Sequence, residues 1–240
     1  YRLAAKQGNA LAQHNLGIMY KKGNGVKQDF QEAVKWHRLS AEHGYSLAQW
    51  NLGNMYEIGQ GVNQNYKEAV KWYKLSAEQG NSLAQTSLGV MYEKGQGVEQ
   101  NYLEAVKWYR LSAEQEDVLA QYNLGVMYKK GHGVKQDYQE AVKWYRLSAE
   151  HGFCVAQYYL GTMYEKGQGI EQNYQETVKW YKLAAEQEFV TAQFSLGSMY
   201  ESGRGVIQDH QEAAKWYRLA AEQGDPYAQK ALEQLTSKKQ

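Results

Sequence analysis

The chain has 240 residues, with 27 Lys and Arg against 26 Asp and Glu and a formal net charge of +1. Charge so evenly balanced gives no electrostatic reason to expect nucleic acid or an anionic membrane as partner, and no apolar run nears the roughly 18–20 residues that span a bilayer. Cys154 is the single cysteine, which excludes an intrachain disulfide and a cysteine-closed metal site, while one proline, 23 glycines and 21 tyrosines against four phenylalanines mark an unusual composition.

Tyr1-Arg2-Leu3-Ala4-Ala5 restates Tyr217-Arg218-Leu219-Ala220-Ala221. This predicts that residues 1–8 are the end of a preceding unit, entered in mid-helix, with further sequence and any targeting segment upstream. From residue 9 onward one unit recurs. Trp36, Trp72, Trp108, Trp144, Trp180 and Trp216 stand 36 residues apart, as do Met19, Met55, Met91, Met127, Met163 and Met199. The register has no insertion, so the repeats run 9–44, 45–80, 81–116, 117–152, 153–188 and 189–224.

Each unit begins with Ala-Gln-x-x-Leu-Gly-x-Met-Tyr, as in Ala84 to Tyr92. Ala84, Leu88, Met91 and Tyr92 fall on one face of an amphipathic helix. Gly89 costs such a helix about 1 kcal/mol relative to alanine, and its recurrence at Gly17, Gly53, Gly125, Gly161 and Gly197 predicts close approach of another backbone. A Gly-x-Gly turn follows. The second helix opens on Asn or Asp with Glu three residues later, as at Asp29/Glu32, Asn65/Glu68, Asn101/Glu104, Asp137/Glu140, Asn173/Glu176 and Asp209/Glu212. That is a capping-box pattern. Its buried face reads Ala105, Trp108, Tyr109, Ser112, Ala113, and its charged face is solvated. Gly44, Gly80, Gly152 and Gly224 close this helix, a left-handed cap position; Glu116 and Glu188 break that pattern. After the sixth unit, Asp225-Pro226 starts a last helix, and residues 225–240 form a C-terminal cap whose polar tail, Thr236 to Gln240, faces solvent. One such hairpin cannot bury its large aromatics alone, so the units must stack.

The run Ala-Gln-x-x-Leu-Gly-x-Met-Tyr-x-x-Gly-x-Gly-Val, then Asp/Asn-Tyr-x-Glu-Ala-Val-Lys-Trp-Tyr-x-Leu-Ser/Ala-Ala-Glu, closely resembles the Sel1-like repeat, a relative of the tetratricopeptide repeat. The resemblance covers essentially the whole chain. It implies an all-α, right-handed superhelical solenoid of antiparallel helix pairs. It also implies an adaptor or scaffold role, often in bacterial envelope assembly, secretion or host contact, and a secreted or periplasmic location. Some bacterial relatives carry a cysteine pair in each repeat; this chain does not.

Positions that change from unit to unit mark a candidate site. Two residues before the Leu stand His14, Trp50, Thr86, Tyr122, Tyr158 and Phe194; one before it stand Asn15, Asn51, Ser87, Asn123, Tyr159 and Ser195. Two after it stand Ile18, Asn54, Val90, Val126, Thr162 and Ser198. The first and third sets share a helical face. In the tetratricopeptide repeats that the unit resembles, the first helix lines the concave groove. The expected site is therefore an aromatic ladder of Trp50, Tyr122, Tyr158 and Phe194, flanked by His14 and Tyr159. Asn51, Asn54 and Asn123 would offer amides to an extended peptide or protein edge.

Other motifs have plainer readings. The Gly-x-Gly pairs never complete a phosphate-binding fingerprint and are turns. The six histidines are scattered and Cys154 sits near a helix start as a structural residue. No serine has lysine three residues on, which argues against the β-lactam chemistry linked to some relatives. A base-per-repeat RNA reader needs a basic track that this chain lacks. The expectation is a monomeric, non-enzymatic scaffold for a protein or peptide. It needs no cofactor, no metal and no nucleic acid, and does not insert into the membrane.

Overall fold

A computed structural model of the chain describes residues 2–237, with side chains as far as 235; Tyr1 and the end of the predicted polar tail, 238–240, lie outside the described residues. Within that range every regular element is an α-helix. The helices are α1 (Arg2–Lys6), α2 (Ala10–Lys22), α3 (Phe30–Glu42), α4 (Ser46–Ile58), α5 (Tyr66–Glu78), α6 (Ser82–Lys94) and α7 (Tyr102–Ala113). They continue as α8 (Val118–Lys130), α9 (Tyr138–Glu150), α10 (Cys154–Lys166), α11 (Tyr174–Glu186), α12 (Val190–Ser202), α13 (His210–Glu222) and α14 (Pro226–Ser237). The chain divides into two compact units, Tyr1–Ala120 and Gln121–Gln240, with α8 spanning the division. Each unit is a solenoid segment in which a helix packs on its neighbours in sequence.

Hydrophobic burial fixes this order. In the first unit, one core joins Ala69, Val70 and Tyr73 of α5, Leu88 and Met91 of α6, and Trp108 of α7. In the second, the equivalent core joins Ala141, Val142 and Tyr145 of α9, Leu160 and Met163 of α10, and Trp180 of α11. Every such core thus draws on three consecutive helices, and no single hairpin closes one. The tyrosines at the centre (Tyr73 and Tyr109; Tyr145, Tyr181 and Tyr217) are among the largest fully buried side chains.

Polar groups stitch the same seams. The Gln of each Ala-Gln pair is buried: Gln49 Nε2 donates to the carbonyl of Ala41 at 3.1 Å, and Gln79 Nε2 donates to Gln49 Oε1 at 2.7 Å. Gln157 and Gln187 repeat the arrangement in the second unit. Ser76 and Ser112 Oγ donate to the carbonyls of Ser46 and Ser82 at 2.7 and 2.8 Å. A buried amide left unpaired would cost a few kcal/mol, so these residues are as fixed by the stack as the apolar ones.

Two sequence expectations change on inspection of the contacts. The glycine inside each first helix is approached mainly by an aromatic ring: a Cβ on Gly89 would lie 2.6 Å from Tyr109 Cδ1, and Gly17, Gly53, Gly125, Gly161 and Gly197 meet His37, Tyr73, Tyr145, Tyr181 and Tyr217 in the same way. Tight backbone approach between repeats falls instead on the second glycine of the turn, where a Cβ on Gly97 would lie 2.3 Å from the carbonyl oxygen of Tyr66. The capping boxes are half formed. Asp29, Asn65, Asn101, Asp137, Asn173 and Asp209 do accept from backbone N–H groups of the first turn. Their own N–H groups, however, donate to tyrosine carbonyls of the preceding helix, such as Asn65 to Tyr56 at 2.9 Å. The glutamates are thereby freed to pair with lysines one turn on, as Glu32 does with Lys35.

Candidate functional site

The second-helix tyrosine packs against the first-helix glycine, and in four repeats its hydroxyl meets a glutamate near the end of the first helix. In the first unit Tyr73 donates to Glu57 at 2.5 Å and Tyr109 to Glu93 at 2.6 Å; in the second, Tyr181 donates to Glu165 at 2.7 Å and Tyr217 to Glu201 at 2.8 Å. Burial, and after it the neighbouring carboxylate, pushes each phenol well above its ordinary range. These groups stay protonated and act as fixed donors. The glutamates are half-buried, so the pairs lie where the core reaches the first-helix face.

The variable residues of the first helices surround these pairs. Trp50 is half-buried, and its indole Nε1 donates to Ser87 Oγ at 3.2 Å. Tyr122 packs its ring against Tyr145, Phe153 and Tyr159, with centroids at 5.9, 5.5 and 5.6 Å. Tyr158 stacks on Tyr181 at 5.3 Å and meets Tyr159 at 5.5 Å. Phe194 leans on Tyr217 at 5.5 Å and on the exposed Tyr227 at 6.4 Å. Tyr122, Tyr158 and Phe194 rest on the second-helix tyrosine of their own repeat. The residues brought together in the second unit are Tyr122, Tyr159 and Tyr158, joined by a tilted and a T-shaped ring contact, while Phe194 stands with Tyr217 and Tyr227.

Asn54 and Asn123 are half-buried beside them. His14 and Asn51 are buried. The His14 ring packs on His37 and Tyr45 with centroids at 5.2 and 5.1 Å, and Asn51 Nδ2 donates to the Leu47 carbonyl of its own helix at 2.9 Å. Both side chains are engaged with the fold. Thr86 is likewise buried, on Ser112 and Asp117.

The sequence reading missed the Tyr–Glu row because it took Tyr109 for a purely apolar residue. The signal was present. The position occupied by Glu57, Glu93, Glu165 and Glu201 holds Lys21 and Lys129 in the other two repeats, and that alternation marks a polar contact. Arg204 adds a further link in the second unit, reaching Glu165 at 3.2 Å. Among the described residues no group of three or more His, Cys, Asp or Glu is placed to hold a metal ion, and no helix is long and apolar enough to cross a membrane.

Comparison with known proteins places this geometry. The family model of the Sel1 repeat matches residues 10–45, 46–81, 82–117, 118–153, 154–189 and 190–225. The crystal structure of c5321, a protective antigen present in uropathogenic Escherichia coli strains and displaying an SLR fold, is similar with a TM-score of 0.93 and 41% identity. The match covers 96% of this chain and 50% of that one. A Sel1 repeat protein from Oxalobacter formigenes is similar with a TM-score of 0.82 and 37% identity, covering 89% and 86% of the two chains. Among curated proteins, the sel1-like repeat-containing protein L18 of Acanthamoeba polyphaga mimivirus is 51% identical over 35 residues, 15% of this chain and 6% of that protein. The chain therefore spans half the length of the first structural relative and a small part of the curated one.

Proposed function

The chain belongs to the Sel1 repeat family, and on that premise we propose that it is a protein-binding scaffold that holds an extended peptide or a protein edge on the first-helix face of its repeats. A fold of stacked Sel1 repeats is consistent with protein–protein interaction. The observation that carries the finer reading is where variation falls. Several residues that change between repeats gather on the first helices, half-buried aromatics among them, while most stacking residues stay constant. Trp50 with Asn54 in the first unit, and Tyr122, Asn123, Tyr158, Tyr159 and Phe194 in the second, combine an anchored ring with an edge left open to solvent. Rigid aromatics of this kind supply most of the energy in protein interfaces. Similarity to an antigen of uropathogenic E. coli and to an Oxalobacter protein supports a bacterial role in the envelope, secretion or host contact.

A capture experiment with paired variants tests this. Trp50→Ala, Tyr122→Ala, Tyr158→Ala and Phe194→Ala should each weaken retention of the same partner, at a melting temperature showing the fold intact. Alanine at Lys71, Lys107 and Lys179, exposed on the second helices, should leave retention unchanged. Equal sensitivity of both faces, or sensitivity of the second-helix face alone, would refute the proposal.

A further inference from the structure

Four repeats close the tyrosine hydroxyl with an internal carboxylate; the fourth repeat does not. Its tyrosine, Tyr145, is fully buried, and its hydroxyl has no hydrogen-bond partner. The position that supplies Glu57, Glu93, Glu165 and Glu201 elsewhere holds Lys129. A buried phenol with no acceptor loses the hydrogen bond it would make to water in the unfolded chain. An ammonium cannot repair this, because lysine has donors and no acceptor.

The surroundings are built for an incoming anion. Lys129 is half-buried, has no carboxylate partner among the described residues, and lies over the Tyr159 ring at 5.0 Å from its centroid. Tyr159 stacks on Tyr145 at 5.7 Å, and Tyr122 packs against both rings, at 5.9 Å from Tyr145 and 5.6 Å from Tyr159. Burial first, and after it the nearby Lys166 and Lys130, disfavours the charged form of Lys129. The carboxylate on the adjoining first helix, Glu165, is committed to Tyr181 and Arg204. The site thus brings together excess positive charge, an unmet phenol donor and a cluster of three tyrosine rings.

We propose that this site takes a carboxylate from the bound partner, the ligand supplying to Tyr145 and Lys129 what a glutamate supplies in the other repeats. The proposal rests on the first-helix face being the ligand face and adds a chemical class to it: an extended segment presenting an acidic side chain or its own C-terminus. On binding, the Lys129 ammonium leaves the Tyr159 face to pair with the acid, and the Tyr145 hydroxyl turns its proton to the same oxygen pair.

The test uses ring-labelled tyrosine in the full chain, with the Tyr145 signal assigned from Tyr145→Phe. Three blocked tripeptides serve as probes: one with a central glutamate and amidated end, one of alanines with a free C-terminus, and one with a central glutamine and amidated end. The expected result is a saturable shift of the Tyr145 signal with the first, the second or both, and none with the third. Response to the first identifies a side-chain carboxylate as the source; response to the second identifies a chain terminus. Lys129→Glu, which restores the residue of the other repeats, should abolish the response while keeping the fold. No shift with either acid, an equal shift with glutamine, or an undiminished shift in Lys129→Glu would overturn the proposal. If the capture experiment still singles out the first helices, the broader reading survives that outcome; if capture maps elsewhere, the broader reading fails on its own test.

Discussion

Glu116 and Glu188 hold left-handed backbone, with φ of 64° and 62°, where the other repeats use glycine. The hydrogen bonds of the cap are kept: Glu116 N–H donates to Ala113 and Asp117 N–H to Ser112. The helix-ending geometry is thus imposed by the stack, and the glutamate bears the strain of a Cβ in that region, about 1–2 kcal/mol. Glu116→Gly and Glu188→Gly should each stabilise by about 1 kcal/mol, read as a rise in thermal midpoint; an unchanged or lower midpoint would count against this account. His37 is a second residue out of pattern. It takes the place of the core tyrosine, is fully buried, and neither ring nitrogen has a partner. Burial first, then His14 and Lys21, holds its pKa down at about 3. The unfolded chain therefore takes up a proton near pH 6.5 that the folded chain refuses, so stability falls as pH drops through the window from 6.5 to about 3. At pH 5 the loss from this residue is about 2 kcal/mol. Denaturant midpoints at pH 7.5 and 5 should differ in the native chain, and differ by less in the double variant His37→Tyr, Lys21→Glu, which restores a Tyr–Glu pair. An equal pH dependence in both would exclude His37 as its source.

At the scale of the helix pair, the glycine and the tyrosine form one device. The ring seat on Gly89 lets Tyr109 cross the core, and Glu93 receives its hydroxyl. Gly89→Ala improves helix propensity by about 1 kcal/mol yet forces a fully buried ring aside. Overpacking of that kind costs about 1–3 kcal/mol or more, so net destabilisation is expected in a thermal melt. Tyr109→Phe should cost about 1 kcal/mol, and a double-mutant cycle with Glu93→Gln should return most of that as coupling; additive losses would mean that the pair is not a unit. The pairing of helices, their caps and their apolar faces were legible in the sequence because 3.6-residue periodicity and cap chemistry are local. The Tyr–Glu row was not, because it joins residues 16 apart across a turn and involves a side chain that is apolar along most of its length. His14 and Asn51 show the same limit. Their variation between repeats reads as surface freedom, while in the fold it reflects local repacking against His37 and the Leu47 carbonyl.

For the molecule as a whole, stability comes from cores that each need three consecutive helices, which makes nearest-neighbour stacking the organising term within each unit. The end of the second unit shows the rule from the other side, since α14 covers Ala213, Tyr217 and Ala220 with Ala228 and Leu235. Removing residues 226–240 should lower the melting temperature by exposing that core. The near-zero net charge leaves recognition to shape and to local groups, so partner binding should depend only modestly on salt except where Lys129 takes part. The most direct measurement is a hydroxyl-radical footprint of the chain with its captured partner bound. The account predicts protection of Trp50, Tyr122, Tyr158, Tyr159 and Phe194, with the exposed side chains of the second helices labelled as before; protection confined to the second helices would contradict it.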